Sequence, residues 1–314
     1  VDHVDLAWLR TAGIGFAHAP GSNARAVAEY VLSVLFSLAA PRGRDPATLC
    51  VGIVGCGEVG SRLGEFLDVL GIEHLDCDPP LHDAGRTGWW RELDELRKAD
   101  VISLHVPLTE AGPYATRNLV DRELLRRLRG DVLLINTSRG GVVDEEALLE
   151  FLERHPRAAC ALDVWEGEPA IRVDLLRRSA IGTPHIAGYS LDARLRATTA
   201  VSRAVRSYFG IRTDPAEPAL PVPEPAEVRV GPGQSECEAL ATAVLGSYDV
   251  RLDAARLRVL PELDAAERPA FFADLRNNYP VRREFPARTL HLPSGAAHLR
   301  ARLDGLGFRT TMQD

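Results

Sequence analysis

The chain has 314 residues with 44 acidic and 37 basic side chains, so its formal net charge at pH 7 is −7. That length is enough for about two domains with a substantial core. The acidic balance argues against a nucleic-acid-binding or membrane-surface protein, and no apolar run is long enough to span a bilayer. The N-terminal residues show no signal-peptide pattern. The five cysteines show neither metal-ligand spacing nor a disulfide framework, so we expect no metal and a cytoplasmic protein.

The N-terminal region is predicted to contain too little chain for a domain of its own. Residues 5–10 suggest a short helix, 13–17 a short strand and 23–39 a long, mostly apolar helix. Because units of fewer than about 40 residues seldom fold alone, we interpret residues 1–22 as the remnant of a substrate lobe. We expect the rest of that lobe to come from a missing N-terminal segment or from elsewhere in the chain.

Between residues 51 and 187, apolar strands alternate with helices, as a parallel sheet requires. Strands are predicted at 51–55, 73–77, 101–106, 132–136, 159–164 and 180–183. Helices are predicted near 59–70, 92–98, 121–129 and 144–154. The pattern indicates an α/β fold with a doubly wound, Rossmann-type parallel sheet over residues 23–190.

The turn after the first of these strands carries a nucleotide-binding pattern. Gly55 allows a tight turn, Gly57 allows the backbone to approach a pyrophosphate, and Gly60 allows the helix to pack closely on the strand. Asp78 ends the next strand, where its carboxylate can accept both hydroxyls of an adenosine ribose and repel a 2′-phosphate. We therefore predict NAD, in preference to NADP, as the cofactor. The alternative is a glycine turn of another doubly wound fold, with Asp78 only opening the Asp-Pro-Pro turn.

The remaining third of the chain is divided by a segment rich in proline and glutamate. Residues 191–210 are predicted to form a helix that returns to the substrate lobe, and 211–225 a stiff linker. Residues 226–314 are predicted to form a small C-terminal α/β domain used for subunit contact. Its predicted elements are a helix opened by the capping box Ser235 and Glu238, helices at 268–279 and 294–303, and strands at 289–292 and 308–311.

Polar side chains stand at or just beyond three strand ends, where open α/β sheets bind ligands. Arg139 follows a buried strand on a glycine turn, and its planar guanidinium is suited to bind a carboxylate. The alternative is a surface arginine that forms an ion pair with Asp144. Asp163 could meet the nicotinamide, and Glu168 lies on the turn beyond it; acids in loops are more often only solvated. His185 lies between a proline and an apolar pair, where a satisfied core histidine is the commoner reading.

Taken together, these side chains match what hydride transfer from an alcohol needs. A base removes the hydroxyl proton, a carboxylate stabilises the resulting imidazolium, and an arginine holds the carboxylate of the substrate. NAD supplies the hydride acceptor. We therefore predict a catalytic set of Arg139, Glu168 and His185.

The order and spacing of these motifs resemble the NAD-dependent D-2-hydroxyacid dehydrogenases. The resemblance rests on the glycine turn with its acid, Asn136-Thr-Ser-Arg139-Gly, Asp163-x-x-x-x-Glu168-Pro and Pro184-His185-Ile-Ala-Gly. It implies that His185 is the proton donor or acceptor, Glu168 its partner and Arg139 the carboxylate anchor. It also implies that Asp78 and Asp163 bind NAD, that Gly188 lies beside the cofactor and that Tyr189 touches substrate. Val106 stands where the family often has threonine; a cofactor contact through its backbone would survive that change.

A narrower set of motifs resembles the branch of this family that oxidises 4-phospho-D-erythronate at C2 on the way to pyridoxal 5′-phosphate. It consists of Asp2-His-Val-Asp, Cys77-Asp-Pro-Pro, Pro107-Leu with Gly112-Pro-Tyr, Asp163-Val-Trp-Glu-Gly-Glu-Pro, His185-Ile-Ala-Gly-Tyr, the linker and the C-terminal tail. This likeness implies a small phosphorylated 2-hydroxy acid as substrate and a homodimer formed by the tail. Alternatives are a dehydrogenase of phosphoglycerate or glycerate, an inactive fragment, and a non-enzymatic NAD-binding regulatory protein on the same scaffold.

Overall fold

The computed structural model describes residues 4–39, 42–213 and 218–313 of the chain. Residues 1–3 of the expected substrate-lobe remnant and residues 214–217 of the expected linker lie outside this part. Within the described ranges, no helix is long and apolar enough to cross a membrane.

Helices and strands are numbered in chain order. The α-helices are α1 (Leu6–Thr11), α2 (Ala24–Ala39), α3 (Glu58–Leu70), α4 (Pro79–Asp83), α5 (Arg122–Arg127), α6 (Glu145–Arg154), α7 (Val173–Arg178), α8 (Leu191–Phe209), α9 (Glu236–Ser247), α10 (Val250–Leu257), α11 (Arg268–Asn277) and α12 (Arg300–Gly305). The strands are β1 (Cys50–Val54), β2 (Glu73–Cys77), β3 (Val101–Leu104), β4 (Leu133–Asn136), β5 (Ala159–Leu162), β6 (Ile181–Gly182), β7 (Glu227–Arg229), β8 (Thr289–Pro293) and β9 (Arg309–Gln313). Short 3₁₀ turns lie at Pro46–Thr48, Leu93–Lys98, Leu260–Glu262, Phe285–Ala287 and Ser294–Leu299.

A parallel sheet in the order β2-β1-β3-β4-β5-β6 forms the centre of the molecule. The six strands predicted from apolar runs are present, and β3 and β4 are buried along their whole length because helices cover both faces. β1 pairs with β2 on one side and with β3 on the other, so the winding direction changes there. Ligands bind such sheets at this switch point, beyond the carboxyl ends of the strands. The predicted Rossmann-type class is confirmed.

Helix α2 joins the sheet to the C-terminal part of the chain. It is buried along almost its whole length, as its apolar composition predicts. The hydrophobic cluster around it contains Leu67 of α3, Leu240 of α9 and Leu290 of β8. Residues 226–313, which we call the C-terminal unit, therefore share one continuous core with the sheet domain.

The predicted strand at 13–17 is wrong. This segment is irregular, and Ile14 and Phe16 remain about half exposed because no strand in the described residues pairs with it. Without a partner, the alternating apolar pattern has no ladder to join. The predicted helix at 92–98 is present as a 3₁₀ segment, Leu93–Lys98.

The C-terminal unit contains a parallel sheet in the order β7-β8-β9, with α9 packed against β7 and α12 against β9. Helix α10 packs on α2 and β6. The predicted capping box is confirmed: Glu238 N–H donates to the Ser235 hydroxyl, and Ser235 N–H donates to the Glu238 carboxylate. Strand β7 and helix α10 were not predicted. β7 buries only Val228, and the buried face of α10 includes Asp253, so neither has an apolar pattern that stands out in the sequence.

Candidate active site

The glycine turn after β1 has the backbone that its sequence predicts. Gly55 has φ +88°, and a Cβ there would lie 2.8 Å from the carbonyl oxygen of His105. A Cβ on Gly60 would overlap the carbonyl oxygen of Gly55, so α3 can approach β1 only because that position is glycine. At Gly57 a Cβ would meet no atom within 4 Å. The turn therefore leaves open space at the one position where a pyrophosphate would approach the backbone.

That open space belongs to a cavity of about 460 Å³ between the ends of β1, β2 and β3. Its volume falls within the range of ligand pockets, and most of its lining is apolar. The lining includes Gly55, Gly57, Asp78, Pro79, Pro80, Leu81, Leu93, Val106, Pro107 and Leu119. An adenosine has an apolar ring face and a polar ribose, so the residues present fit the nucleotide half of NAD.

Asp78 lies at the rim of this cavity, at the end of β2. One of its carboxylate oxygens accepts from Cys56 N–H at 2.8 Å, and the other accepts from Leu81 N–H at 2.9 Å. Asp78 therefore caps the turn into α4, as expected if it only opened the Asp-Pro-Pro turn. It also connects that turn to the glycine turn through Cys56. Each oxygen keeps a further lone pair, so these contacts leave the carboxylate able to accept from ribose hydroxyls.

His185 and Glu168 are in direct contact, although the chain separates them by 17 residues. His185 Nδ1 lies 2.8 Å from Glu168 Oε2, and Glu168 Oε1 accepts from the backbone N–H of Trp165 at 2.8 Å. The two side chains are 28% and 19% exposed, so a substrate can reach the ring. With Nδ1–H donating to the carboxylate, the lone pair of the neutral imidazole is on Nε2. This is the atom available to accept a proton.

The backbone of the histidine is held in an unusual conformation. His185 has φ +59°, in the left-handed region that few residues other than glycine adopt. Its N–H donates to the carbonyl oxygen of Asp163 at 2.8 Å. Strained positions of this kind persist only where the surroundings over-determine them, and they concentrate at functional sites.

The Asp163 carboxylate supplies much of that support. It accepts from the backbone N–H groups of Ile186 and Ala187 at 2.7 and 2.9 Å, and from the Thr183 hydroxyl at 2.7 Å. The side chain is only 1% exposed. Burial raises the pKa of Asp163, while the charge of protonated His185 and these hydrogen bonds oppose that shift. Sequence reasoning assigned Asp163 to NAD; among the described residues, the hydrogen bonds of its carboxylate all go to the histidine loop.

Arg139 lies on the loop after β4, next to the loop that carries Glu168. A Cβ on Gly140 would overlap the carbonyl oxygen of Trp165, so the two loops touch through their backbones. Asn136 Nδ2 donates to the carbonyl oxygen of Arg139 at 3.1 Å and fixes the turn. Asp144 accepts from Ala147 N–H as the N-cap of α6. The loops of Arg139, Glu168 and His185 therefore follow the neighbouring strands β4, β5 and β6 at one edge of the sheet.

The loop beyond the histidine carries the other two predicted residues. A Cβ on Gly188 would lie 2.5 Å from Asn23 Nδ2, so this position must be glycine for the loop to rest on the start of α2. The hydroxyl of Tyr189 accepts from Arg276 Nε at 2.9 Å. The contribution of Arg276 was missed because nothing in the local sequence links it to a residue 87 positions earlier.

A doubly wound sheet, a glycine turn that opens on a nucleotide-sized cavity, and a histidine–carboxylate couple on the same edge define a dehydrogenase that uses a nicotinamide cofactor. Comparison with known proteins gives the family. Residues 24–187 match D-isomer specific 2-hydroxyacid dehydrogenase, NAD binding domain, and residues 219–307 match a domain of unknown function. The chain therefore belongs to the D-isomer specific 2-hydroxyacid dehydrogenase family, and its sheet domain is an NAD-binding domain.

A curated relative and two solved structures make the likeness specific. Erythronate-4-phosphate dehydrogenase of Escherichia coli (strain ATCC 8739) is 45% identical over 309 residues, which cover 98% of this chain and 80% of that protein. D-lactate dehydrogenase from Aquifex aeolicus, solved with NAD and lactic acid, has a TM-score of 0.57 and 26% identity over 67% of this chain and 74% of its own. NAD-dependent formate dehydrogenase from Staphylococcus aureus, solved with NAD, has a TM-score of 0.56 and 28% identity over 69% and 71%.

Proposed function

We propose that this enzyme oxidises 4-phospho-D-erythronate at C2 to (R)-3-hydroxy-2-oxo-4-phosphooxybutanoate with NAD, a step towards pyridoxal 5′-phosphate. The contact between His185 Nδ1 and Glu168 Oε2 carries the chemical part of this proposal, because it makes an acid–base pair at the same edge of the sheet as the nucleotide cavity. The relative named erythronate-4-phosphate dehydrogenase, which matches 98% of the chain, supports the choice of substrate.

Each catalytic residue has one task in this proposal. His185 Nε2 accepts the proton of the C2 hydroxyl, and Glu168 stabilises the imidazolium that forms. Arg139 holds the substrate carboxylate with its planar fork, which fixes C2 and its hydrogen relative to His185. NAD, when bound, accepts the hydride that leaves C2. The proton on His185 then passes to water, which restores the base for the next turnover.

The cofactor would be held by the edge of the sheet that surrounds the cavity. The backbone at Gly57 and the start of α3 would receive the pyrophosphate, since the helix N-terminus favours negative charge. Asp78 would accept from the adenosine ribose hydroxyls and repel a 2′-phosphate, which favours NAD. The backbone at Val106 would contact the cofactor, and Gly188 and Asp163 would lie near its nicotinamide end.

The test is NADH formation by the purified protein with a panel of 2-hydroxy acids. We expect the highest kcat/KM for 4-phospho-D-erythronate, above those for 3-phosphoglycerate, D-glycerate and D-lactate. A higher kcat/KM for another acid would keep the reaction class and reject the substrate. Binding of NAD without turnover of any panel member by the complete protein would support the regulatory alternative instead.

We also propose that the protein is a cytoplasmic homodimer assembled through the C-terminal unit. Support comes from the resemblance of the tail and from β7 and β9, which are both edges of their sheet and can accept a further strand. Light scattering coupled to size-exclusion chromatography measures the mass directly. A monomer at micromolar concentration would contradict the proposal, and cell fractionation tests the location.

A further inference from the structure

The C-terminal unit forms hydrogen bonds with the segment that follows His185. Arg282 Nη1 donates to the carbonyl oxygen of Ala187 at 3.0 Å, and the N–H of Leu191 donates to the carbonyl oxygen of Arg282 at 2.9 Å. The Ser190 hydroxyl donates to Glu284 at 2.6 Å. The unit therefore reaches the rim of the active site and sets the position of the loop on which Tyr189 stands.

Arg276 is a second arginine of this unit that contacts that loop, through the side chain of Tyr189. It lies near the end of α11, and its Nε donates to the hydroxyl of Tyr189, four residues after His185. Its guanidinium carbon is 5.5 Å from the centre of the Tyr189 ring. The side chain is half-buried, so it is held in place and is still accessible.

The charge of Arg276 is not neutralised within the described part of the chain. Its Nη groups make no hydrogen bond there, and no carboxylate lies within ion-pair distance of them. Other arginines of the unit differ: Arg283 pairs with Asp192 at 2.9 Å, and Arg256 lies 3.5 Å from Asp253. A fixed guanidinium with two donor groups unused is suited to bind an anion, and a phosphate accepts from both donors at once.

The comparisons relate this arginine to one kind of substrate. The lactate and formate dehydrogenase structures match 67% and 69% of this chain, which leaves about a third of it without a counterpart in them. The relative whose name includes a phosphate matches 98%, and so shares the C-terminal unit. Lactate and formate carry no phosphate, whereas 4-phosphoerythronate carries a dianion that a site must neutralise.

We propose that Arg276 binds the phosphate group of the substrate and makes the enzyme selective for phosphorylated 2-hydroxy acids. This inference rests on the proposed function for the identity of the substrate. It assigns the C-terminal unit a part in substrate recognition in addition to any part in assembly. Arg139 and Arg276 then bind the two charged ends of one molecule, the carboxylate and the phosphate.

The first test compares two substrates in one variant. Arg276→Gln should lower kcat/KM for 4-phospho-D-erythronate by about 10²-fold, mainly through KM, because a charge-assisted contact to a dianion is lost. It should leave kcat/KM for unphosphorylated D-erythronate within about twofold. Arg276→Lys should recover part of the loss, and Arg300→Gln, which removes a charge on α12, should change neither value. An equal fall for both substrates would overturn the proposal, since Arg276 would then act only by positioning Tyr189.

A second test does not depend on which acid is the substrate. Titration of the NAD-loaded protein with inorganic phosphate should show binding that Arg276→Gln weakens about tenfold or more, and that Tyr189→Phe, which keeps the charge, largely preserves. If phosphate binds in this way while 4-phospho-D-erythronate is not turned over, the anion site stands and the proposed function fails. Phosphate binding that is equal in the wild type and in Arg276→Gln would refute the anion site.

Discussion

The candidate active site lies along one edge of the main sheet. Its cofactor half, around the glycine turn, and its catalytic half, around His185, are built in different ways. In the cofactor half, the acid and the glycine turn are joined by a hydrogen bond between Asp78 and Cys56, which are 22 residues apart. In the catalytic half, the loop after His185 is held by Arg282 and Glu284, at separations of 95 and 94 residues. The cofactor half is thus a local product of one β-α-β unit, whereas the catalytic half needs the C-terminal unit to complete it.

This difference separates the expected effects of substitutions. A change in the glycine turn should alter the affinity for NAD. A change in the histidine loop or in its supports should alter turnover while NAD still binds. The following predictions use that separation, from the largest expected effect to the smallest.

Replacement of the histidine should have the largest effect. His185→Asn should lower kcat by about 10²- to 10⁴-fold, because the general base is lost. Asparagine is chosen because it tolerates the left-handed backbone that His185 adopts, so the loop is preserved. The Kd for NADH, measured by fluorescence, should stay within about twofold. Turnover near the wild-type rate would remove His185 from the mechanism.

Two alanine substitutions in the glycine turn should affect different properties, one the affinity for NAD and the other the stability of the fold. Gly57→Ala should fold normally, because its methyl group enters open space, and should weaken NAD binding by about tenfold or more, because that space is where the pyrophosphate approaches. Gly60→Ala should instead lower the melting temperature or prevent folding, since its methyl group would overlap the Gly55 carbonyl oxygen. Calorimetric titration and thermal melts measure the two effects. Unchanged NAD affinity in Gly57→Ala would place the pyrophosphate elsewhere.

The C-terminal support of the histidine loop can be tested at Arg282. Its side chain is 4% exposed and donates to the carbonyl oxygens of Ala187 and Ala26. Its guanidinium carbon lies 3.6 Å from the centre of the Tyr248 ring. Arg282→Lys keeps the charge and loses the planar fork, so kcat should fall by about tenfold while the affinity for NAD stays the same. If kcat and NAD affinity fell together, the two halves of the edge would not be independent.

The contrast between local and distant contacts also explains which parts of the structure could be predicted from the sequence. The six strands of the main sheet were predicted because each is a buried apolar run followed by a turn signal. His185, Glu168 and Arg139 were predicted to lie at one edge because the strand ends of a parallel sheet meet there, and the structure places their loops at that edge. Local patterns carry both kinds of information.

The contacts that come from far along the chain could not be predicted. Nothing near Asp163 indicates that its carboxylate binds the backbone of Ile186 and Ala187, because these partners belong to another loop. Arg276 and Arg282 have no motif around them. The short strand β7 was not predicted because only one of its side chains is buried, so it has no apolar pattern in the sequence.

A separate prediction concerns stability where α2 meets the C-terminal unit. Glu29 is fully buried, and its Oε1 accepts from the N–H of Phe285 at 3.0 Å. Burial raises the pKa of Glu29 to about 8, above the 4.5 of an exposed glutamate. The folded state therefore holds a proton that the unfolded state has released, so the free energy of unfolding should fall as the pH rises from 4.5 to about 8.

Glu29→Gln should remove that decline and keep the acceptor for Phe285. The two proteins should have similar stability near pH 4.5, and by pH 8 the variant should be more stable by on the order of 2–4 kcal/mol. Urea unfolding at a series of pH values measures the difference. Parallel pH profiles for the two proteins would show that Glu29 stays ionised in the fold, paired with Arg282 and Arg25.

Transfer of an isotope label tests the central claim, hydride transfer from C2 of a 2-hydroxy acid at the His185–Glu168 couple, most directly. With 4-phospho-D-erythronate deuterated at C2, we predict that the NADH formed carries the deuterium. Single-turnover rates of NADH formation should also show a primary isotope effect. NADH that contains no deuterium, or oxidation of the substrate without reduction of NAD, would contradict it.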